Sequence, residues 1–217
     1  MPSLDQASRA VGWSLLLLSA ALLVRPSAPP ARMLRREWRE LQRTRLITSE
    51  WQTFVEGAQS IGPASAPLRI VEFVSYTCPY CREGQPVLDS LLRVHPNSRI
   101  AIRQLPPRLE PRSRAASRAA LCASTEEFAR LHAFLLTDEE WRRTDDWLTT
   151  LRRAGMSDPA RLVTCQASVA TEKLIARDSV LASRLRMRMT PAFAMPSGAF
   201  QVGLTTLDAV DRALRGR

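Results

Sequence analysis

Two cysteines separated by two residues, Cys78 and Cys81, stand between an apolar strand-like run and a helical segment. This placement limits what the chain can fold into more than any other feature of its sequence. Leu68–Val74 reads LRIVEFV, a short run rich in β-branched and aromatic residues that predicts a buried strand. From Cys81 onward apolar residues recur at helical spacing, until Pro96-Asn97 ends the helix. The pair therefore lies at the carboxyl edge of a predicted sheet, where α/β folds place their functional sites.

The segments after this helix complete the pattern of an α/β fold. Arg99–Leu105 alternates like a second strand, so strand, helix and strand form the βαβ unit of a mainly parallel sheet. A long helical region follows, over about residues 113–187. A hairpin around Gly198 and a helix over Thr206–Arg215 are predicted to close the chain. We therefore expect one domain over residues 51–217, with the helical region inserted into it.

The N-terminus carries an uncharged apolar run, Val11–Val24. As a helix this run would extend roughly 21 Å, which is short of the ~30 Å hydrocarbon core of a bilayer and suits the apolar region of a signal peptide. Arg25 and a Pro-rich stretch follow, without the small-residue site at which signal peptides are cleaved. We favour an uncleaved signal anchor plus linker over residues 1–32. A cleaved signal peptide and a buried helix are the alternatives.

The chain is strongly basic, with a formal net charge of +10 that is concentrated in Arg25–Arg45 and Arg93–Arg118. No recognised nucleic-acid module frames either stretch, so we expect no nucleic-acid partner. A solvated basic surface explains the charge, with the first stretch near anionic lipid headgroups. That stretch overlaps residues 33–50, in which apolar residues near helical spacing predict a juxtamembrane helical arm.

Two other interpretations of Cys78 and Cys81 compete with redox chemistry. Half of a structural zinc site is one, but such a site needs four ligands, and the other cysteines and the two histidines show no paired spacing. A purely structural disulfide is the other, although the start of a helix is an unusual location for it. A helix start supplies unpaired N–H groups and partial positive charge, which stabilise a thiolate. We therefore favour a redox-active pair, with Cys78 as the attacking thiol and Cys81 as the more buried resolving thiol.

The stretch IVEFVSYTCPYC resembles the active-site segment of the DsbA family of thiol–disulfide oxidoreductases. The resemblance extends from about Trp51 to the C-terminus. It implies a thioredoxin-like fold with a helical domain inserted before a strand that follows a cis proline. Met189–Phe193, which reads MTPAF, is similar to the family's cis-proline loop. By that match Pro191 is the cis proline, and Thr190 is the residue whose backbone faces Cys78.

The resemblance also implies roles for residues around the cysteines. Glu72 matches the family's acidic residue on the strand below the pair, where a buried carboxylate can relay a proton and raise the pKa of a thiol. A glutamate exposed at the sheet edge is the alternative. Pro79 and Tyr80 stand between the cysteines, and Tyr80 replaces the histidine of the best-known members. Because neutral tyrosine brings no imidazolium charge to the thiolate, the resemblance leaves the oxidising strength open.

The expected function is dithiol–disulfide exchange with cysteine-containing exported proteins, with net oxidation of the substrate. The Cys78–Cys81 disulfide is the redox group, so we expect no metal or organic cofactor. The resemblance implies a membrane reoxidant of the DsbB or quinone-reductase type, and the cysteine chemistry favours an extracytoplasmic location. A reductase or isomerase of the same fold is the alternative within this chemistry. A metal-binding protein with soft thiolate ligands and a scaffold protein are alternatives from other classes.

A second, structural disulfide between Cys122 and Cys165 is predicted in the inserted region. Both cysteines lie in predicted helices, and alanines beside Cys122 permit the close approach that a disulfide requires. Some relatives in the DsbA family are similar in carrying a cysteine in each of these helices. Two buried free thiols, or a second redox or metal role, are the alternatives.

Overall fold

The computed structural model describes residues 29–214, so the predicted anchor over Val11–Val24 lies outside the described residues. Two compact units divide the chain between Arg43 and Thr44. In the part that the structure describes, no helix is both long enough and apolar enough to cross a membrane. The unit that begins at Thr44 contains the sheet and all four cysteines.

Strands and helices follow one another along the described chain in the order of an α/β fold. The strands are β1 (Gln59–Ile61), β2 (Leu68–Val74), β3 (Arg99–Gln104), β4 (Ala192–Ala194) and β5 (Phe200–Val202). The helices are α1 (Pro29–Ser49), α2 (Trp51–Val55), α3 (Pro79–Val94), α4 (Pro111–Cys122), α5 (Thr125–Thr137), α6 (Trp147–Arg153), α7 (Pro159–Gln166), α8 (Val169–Arg184) and α9 (Leu207–Leu214). A short 3-10 helix, Glu140–Arg143, precedes α6.

The sheet has the strand order β1-β3-β2-β4-β5. β2 pairs in parallel with β3, where Val71 lies opposite Ala101, and antiparallel with β4, where Val71 lies opposite Ala194. The segment β2–α3–β3 is thus the predicted βαβ unit, and the predicted α/β fold class is confirmed. β1 is an antiparallel edge strand in which Ser60 lies opposite Ala101. It is not evident in the sequence, because its three residues (QSI) carry a single apolar side chain.

Both faces of the sheet are covered, because successive strand residues point to opposite sides. Ile70 belongs to a buried cluster that includes residues of α3 and of the inserted helices. Its neighbour Val71 belongs to a second cluster, with residues of α2 and α8. From Ile70 to Val74, β2 therefore places apolar side chains on both faces, and the buried Glu72 is the exception.

The inserted helices, α4 to α8, lie between β3 and β4 in sequence and occupy Pro111–Arg184, where the sequence predicts residues 113–187. Prolines begin α4 and α7, at a helical position where the missing N–H leaves no hydrogen bond unmade. Asp158 caps α7 by accepting a hydrogen bond from the N–H of Arg161 at 2.9 Å. A proline therefore marks where α4 begins, and a proline together with a cap marks where α7 begins.

A buried ion pair joins β3 to α8. Arg103 donates a hydrogen bond to Oδ1 of Asp178 at 3.0 Å and another to the carbonyl of Phe54 at 2.9 Å. Oδ2 of Asp178 accepts a hydrogen bond from the N–H of Gln104 at 2.8 Å. Buried charges are tolerated when they are paired and fully hydrogen-bonded, and this pair meets that condition. It holds the carboxyl end of β3 against α8 and α2.

Candidate active site

The cysteine pair lies where β2 ends and α3 begins. Cys78 is the N-cap residue of α3, with extended backbone (φ −76°, ψ 118°), and Pro79 is the first helical residue. Cys81 lies in the first turn and is 1% exposed, whereas Cys78 is half-buried. Both cysteines are free thiols in this structure. Of the two, Cys78 is therefore the more accessible thiol.

The position of Cys78 makes its thiol acidic. The pKa of Cys78 falls from its ordinary value of 9.0 to about 5, first because Cys81 hydrogen-bonds to its sulfur and further because backbone N–H groups of Cys81 and Tyr80 do so. Partial burial opposes this shift, since burial disfavours the charged form. The first N–H groups of a helix have no intrahelical partner and are free to bind an anion. Cys78 is therefore a thiolate at neutral pH.

Cys81 has the opposite tendency. Its pKa is raised well above the ordinary value, first by the hydrogen bond to Cys78, then by burial and by the charge of Glu72. The shared proton therefore stays on Cys81 while Cys78 is ionised. This asymmetry gives the pair one nucleophile that also leaves easily and one poorly accessible thiol.

Glu72 is buried in β2, opposite Phe193 of β4, and is not exposed at an edge. Its Oε2 has no hydrogen-bond partner among the described residues. Burial, and then the charge of Cys78, raise the pKa of Glu72 from 4.5 to about 8. The carboxyl therefore holds a proton at neutral pH, is affected by the charge of Cys78, and when ionised raises the pKa of Cys81.

The loop before β4 approaches the cysteines. The Thr190–Pro191 peptide bond is cis, and the Sγ of Cys78 lies 3.1 Å from the carbonyl oxygen of Thr190. Pro191 is buried, and its carbonyl accepts a hydrogen bond from the N–H of Gly203 at 2.8 Å. The structure thus brings the predicted Thr190–Pro191 step next to the predicted cysteine pair, although Thr190 and Cys78 are 112 positions apart in the chain.

A groove borders Cys78 on its exposed side. Tyr80 and Met189 are 55% and 66% exposed beside it. Aromatic and thioether side chains at such a surface can pack against varied apolar groups of an extended polypeptide. The lining comprises Ser75, Thr77, Cys78, Pro79, Tyr80, Leu105, Pro106, Pro107, Glu110, Met187, Arg188, Met189 and Thr190.

A buried chain of hydrogen bonds supports the loop that carries Cys78. Gln104 donates to the hydroxyl of Tyr76 at 3.4 Å, and this hydroxyl lies 3.1 Å from Nδ1 of His132. Nε2 of His132 lies 3.3 Å from Oε1 of Gln85 in α3. Burial lowers the pKa of His132 to about 3, so the ring is neutral, with Nδ1 accepting from Tyr76 and Nε2–H donating to Gln85.

These supporting residues are absent from the sequence-based predictions. Tyr76 and His132 are 56 positions apart and lie in different elements, so no spacing connects them. The position of Tyr76, two residues before Cys78, is the one local signal that could have drawn attention to it.

Cys122 and Cys165 form a disulfide that joins α4 to α7, with Cα atoms 5.9 Å apart. The bridge lies within the inserted helices and leaves Cys78 and Cys81 as a separate pair. Within residues 29–214, no group of three or more His, Cys, Asp and Glu side chains is arranged to hold a metal ion.

Comparison with known protein families and structures places this site in context. A protein-family model described as thioredoxin matches residues 55–214. A thioredoxin-like oxidoreductase from Silicibacter pomeroyi DSS-3 is 26% identical, with a TM-score of 0.64 over 76% of this chain and 98% of that chain. A linker-deletion mutant of Proteus mirabilis ScsC is 21% identical, with a TM-score of 0.75 over 91% of this chain and 92% of that chain. The thiol-disulfide exchange protein α-DsbA2 from Wolbachia pipientis is 18% identical, with a TM-score of 0.68 over 82% and 96% of the two chains. The predicted thioredoxin-like fold is confirmed.

Two curated proteins show a more local similarity. Na(+)/H(+) antiporter NhaA 3 of Salinispora tropica is 31% identical over 97 residues, and NhaA 1 of Salinispora arenicola is 34% identical over 97 residues. Each match covers 44% of this chain and 15% of the antiporter. The chain therefore spans only a small part of the length of these relatives.

Proposed function

This chain belongs to the thioredoxin family, and we propose that it exchanges disulfides with cysteine-containing exported proteins through Cys78 and Cys81. One observation carries the proposal: an acidic, half-exposed thiol at a helix start is hydrogen-bonded to a buried thiol that keeps its proton. Thiol–disulfide exchange requires such a pair, because one sulfur must be accessible and must leave readily as a thiolate.

In the first step a substrate thiolate attacks Sγ of Cys78 in the oxidised Cys78–Cys81 disulfide. The bond between the two enzyme sulfurs breaks, a mixed disulfide forms at Cys78, and Cys81 departs with the electron pair. Cys81 then takes up a proton, since its pKa in the folded protein is high. Glu72 is suited to supply that proton, because its carboxyl is still protonated at neutral pH and lies in the buried region beneath the pair.

In the second step another thiolate of the substrate attacks the substrate sulfur of the mixed disulfide. The substrate leaves with a new disulfide, and Cys78 leaves as the thiolate that its surroundings stabilise. The substrate has lost two electrons and the enzyme has gained two. A membrane reoxidant of the DsbB or quinone-reductase type would then accept these electrons and restore the enzyme disulfide.

Net oxidation is the direction that the thiol chemistry favours. A stabilised Cys78 thiolate stabilises the reduced enzyme, which makes the enzyme disulfide a stronger oxidant. Tyr80 adds no positive charge, so the stabilisation comes from Cys81 and from the helix start. A reductase or isomerase of the same fold is the second candidate, since the same two steps run in reverse when the substrate disulfide is the less stable one.

We propose an extracytoplasmic location, with the apolar run Val11–Val24 as a membrane anchor. The Cys122–Cys165 disulfide supports the compartment, because structural disulfides persist where the surroundings are oxidising. The lack of charge in the run, and the lack of a small-residue cleavage pattern in the stretch after it, support the anchor.

Refolding of a reduced, unfolded protein with several disulfides tests the proposal. The oxidised enzyme should form disulfides in it stoichiometrically, and either Cys78→Ser or Cys81→Ser should abolish this transfer. Offered a disulfide-bonded substrate instead, Cys81→Ser should accumulate a mixed disulfide at Cys78, because the Cys78 thiolate displaces one substrate thiolate and no second enzyme thiol resolves the product. The double variant Cys122→Ser/Cys165→Ser is the matched control and should retain transfer. Faster reduction of insulin than oxidation of the refolding substrate would favour the reductase. Tight metal binding without exchange activity would favour a metal-binding protein. A protein that neither binds metal nor exchanges disulfides would favour the scaffold alternative.

A further inference from the structure

The N-terminal part of α1 carries an exposed apolar face. Leu34, Trp38 and Leu41 follow one another at intervals of four and three residues, so they lie along one side of the helix. All three are exposed, and Trp38 retains 58% of its accessible surface. Exposed large apolar side chains in a contiguous row mark a surface that binds another apolar phase.

Arginines predominate on the opposite side of the same helix segment. Residues 32–43 contain five arginines and two glutamates, so five minus two gives a net charge of +3. At 100° per residue, the five arginines fall within an arc opposite the row formed by Leu34, Trp38 and Leu41. Arg43 pairs with Glu40 at 2.9 Å along the helix.

We propose that residues 32–43 of α1 form an interfacial helix that lies on a membrane surface containing anionic lipids. Leu34, Trp38 and Leu41 would enter the boundary between headgroups and acyl chains. Arg35, the arginine nearest this row, would extend its long side chain towards lipid phosphates, and the arginines on the opposite side would attract the anionic surface at longer range. Tryptophan is the aromatic residue suited to this boundary, since one part of its ring is apolar and its N–H needs a polar partner.

The positive charge of residues 32–43 favours an anionic membrane over a second copy of the chain as the partner of this apolar row. Two copies packed through the row of Leu34, Trp38 and Leu41 would bring two segments of +3 together. An anionic bilayer instead complements that charge, and each arginine near such a surface strengthens binding about fivefold. The inference is independent of the thiol chemistry, and it differs from the proposed anchor because these residues bind along the surface instead of crossing it.

Fluorescence quenching by brominated lipids tests the proposal with the full chain in vesicles. The emission of Trp38 is obtained by subtracting the fluorescence of the Trp38→Phe variant from that of the wild type. In vesicles that contain phosphatidylglycerol, acyl-chain bromines should quench most of that emission. In pure phosphatidylcholine, or at high salt, the quenching should fall by more than half. The rate of Cys78 alkylation should be the same in both proteins, because Trp38 is exposed and its replacement leaves the domain folded.

A matched pair of charge variants completes the test. Arg35→Gln/Arg36→Gln/Arg39→Gln should reduce the quenching of Trp38 by more than half. The control Arg108→Gln/Arg152→Gln/Arg212→Gln removes the same charge from exposed positions elsewhere and should leave it unchanged.

Three results would overturn the proposal. One is Trp38 emission that brominated anionic lipids do not quench. Another is equal loss of quenching in the two charge variants. The third is protection of Trp38 from acrylamide without lipid quenching, together with cross-linking between chains, which would identify the apolar face as an interface between copies.

Discussion

Glu72→Gln is expected to stabilise the folded protein at alkaline pH and to have little effect in acid. Glu72 is buried in β2, and its pKa is raised from 4.5 to about 8. Between these pH values the folded protein keeps a proton that the unfolded chain releases. The contribution of Glu72 to the free energy of unfolding is therefore fully present below about pH 4.5 and is lost as the pH rises to about 8.

The size of the effect follows from the shift. A difference of 3.5 pH units between 4.5 and about 8, at 1.36 kcal/mol per unit, corresponds to about 5 kcal/mol once both states are ionised. Solvent screening removes little of this, because the carboxyl is fully buried. Glutamine has nearly the same shape and no proton to lose, so the variant avoids the pH-dependent loss.

Urea unfolding of the reduced protein at about pH 5 and about pH 9 measures this prediction. The difference in the free energy of unfolding between Glu72→Gln and the wild type should grow by several kcal/mol between the two conditions. Titration of Cys78 changes the free energy of unfolding of both proteins, so its effect largely cancels in the difference between them. Glu83→Gln, which changes an exposed carboxyl on α3, is the matched control and should show no such growth. A Glu72→Gln difference that changes by less than about 1 kcal/mol would refute the account of this carboxyl.

Two further predictions concern stability. The double variant Cys122→Ser/Cys165→Ser should lose up to about 4 kcal/mol of unfolding free energy in the chain-entropy model for a separation of 43 residues, as thermal or urea unfolding would measure. Unchanged stability would show that the bridge constrains nothing in the unfolded chain. Tyr76→Phe should cost about 1–3 kcal/mol, because it leaves buried polar atoms of His132 unpaired, whereas the exposed control Tyr80→Phe should cost almost nothing. Equal costs at the two tyrosines would contradict the buried hydrogen-bond chain.

Local patterns made much of the fold predictable. β2 has the predicted bounds, Leu68–Val74, because an apolar run of that length between turn residues has few other structures available. The start of α3 at the cysteine pair is predictable for a similarly local reason, since apolar residues recur at helical spacing from Cys81 onward; the structure adds Pro79 as the first helical residue.

The buried polar contacts of the site were not predictable in this way. Tyr76 reaches His132 across 56 positions, and Arg103 reaches Asp178 across 75, so each contact depends on how distant elements pack. The proximity of Thr190 to Cys78, 112 positions apart, was expected only through resemblance to a known family. The low pKa of Cys78 likewise depends on where its sulfur lies relative to Cys81 and the helix start, which only the structure supplies.

The rate of alkylation of Cys78 as a function of pH tests the central claim most directly. Reduced protein is treated with iodoacetamide, and the adduct is assigned to a cysteine by mass spectrometry of the digest. The rate should be constant from about pH 7 upward and should fall in acid with a midpoint near the pKa of about 5, with the label on Cys78. A rate that continues to rise towards the ordinary thiol pKa of 9.0, or a label found first on Cys81, would contradict the account of this site.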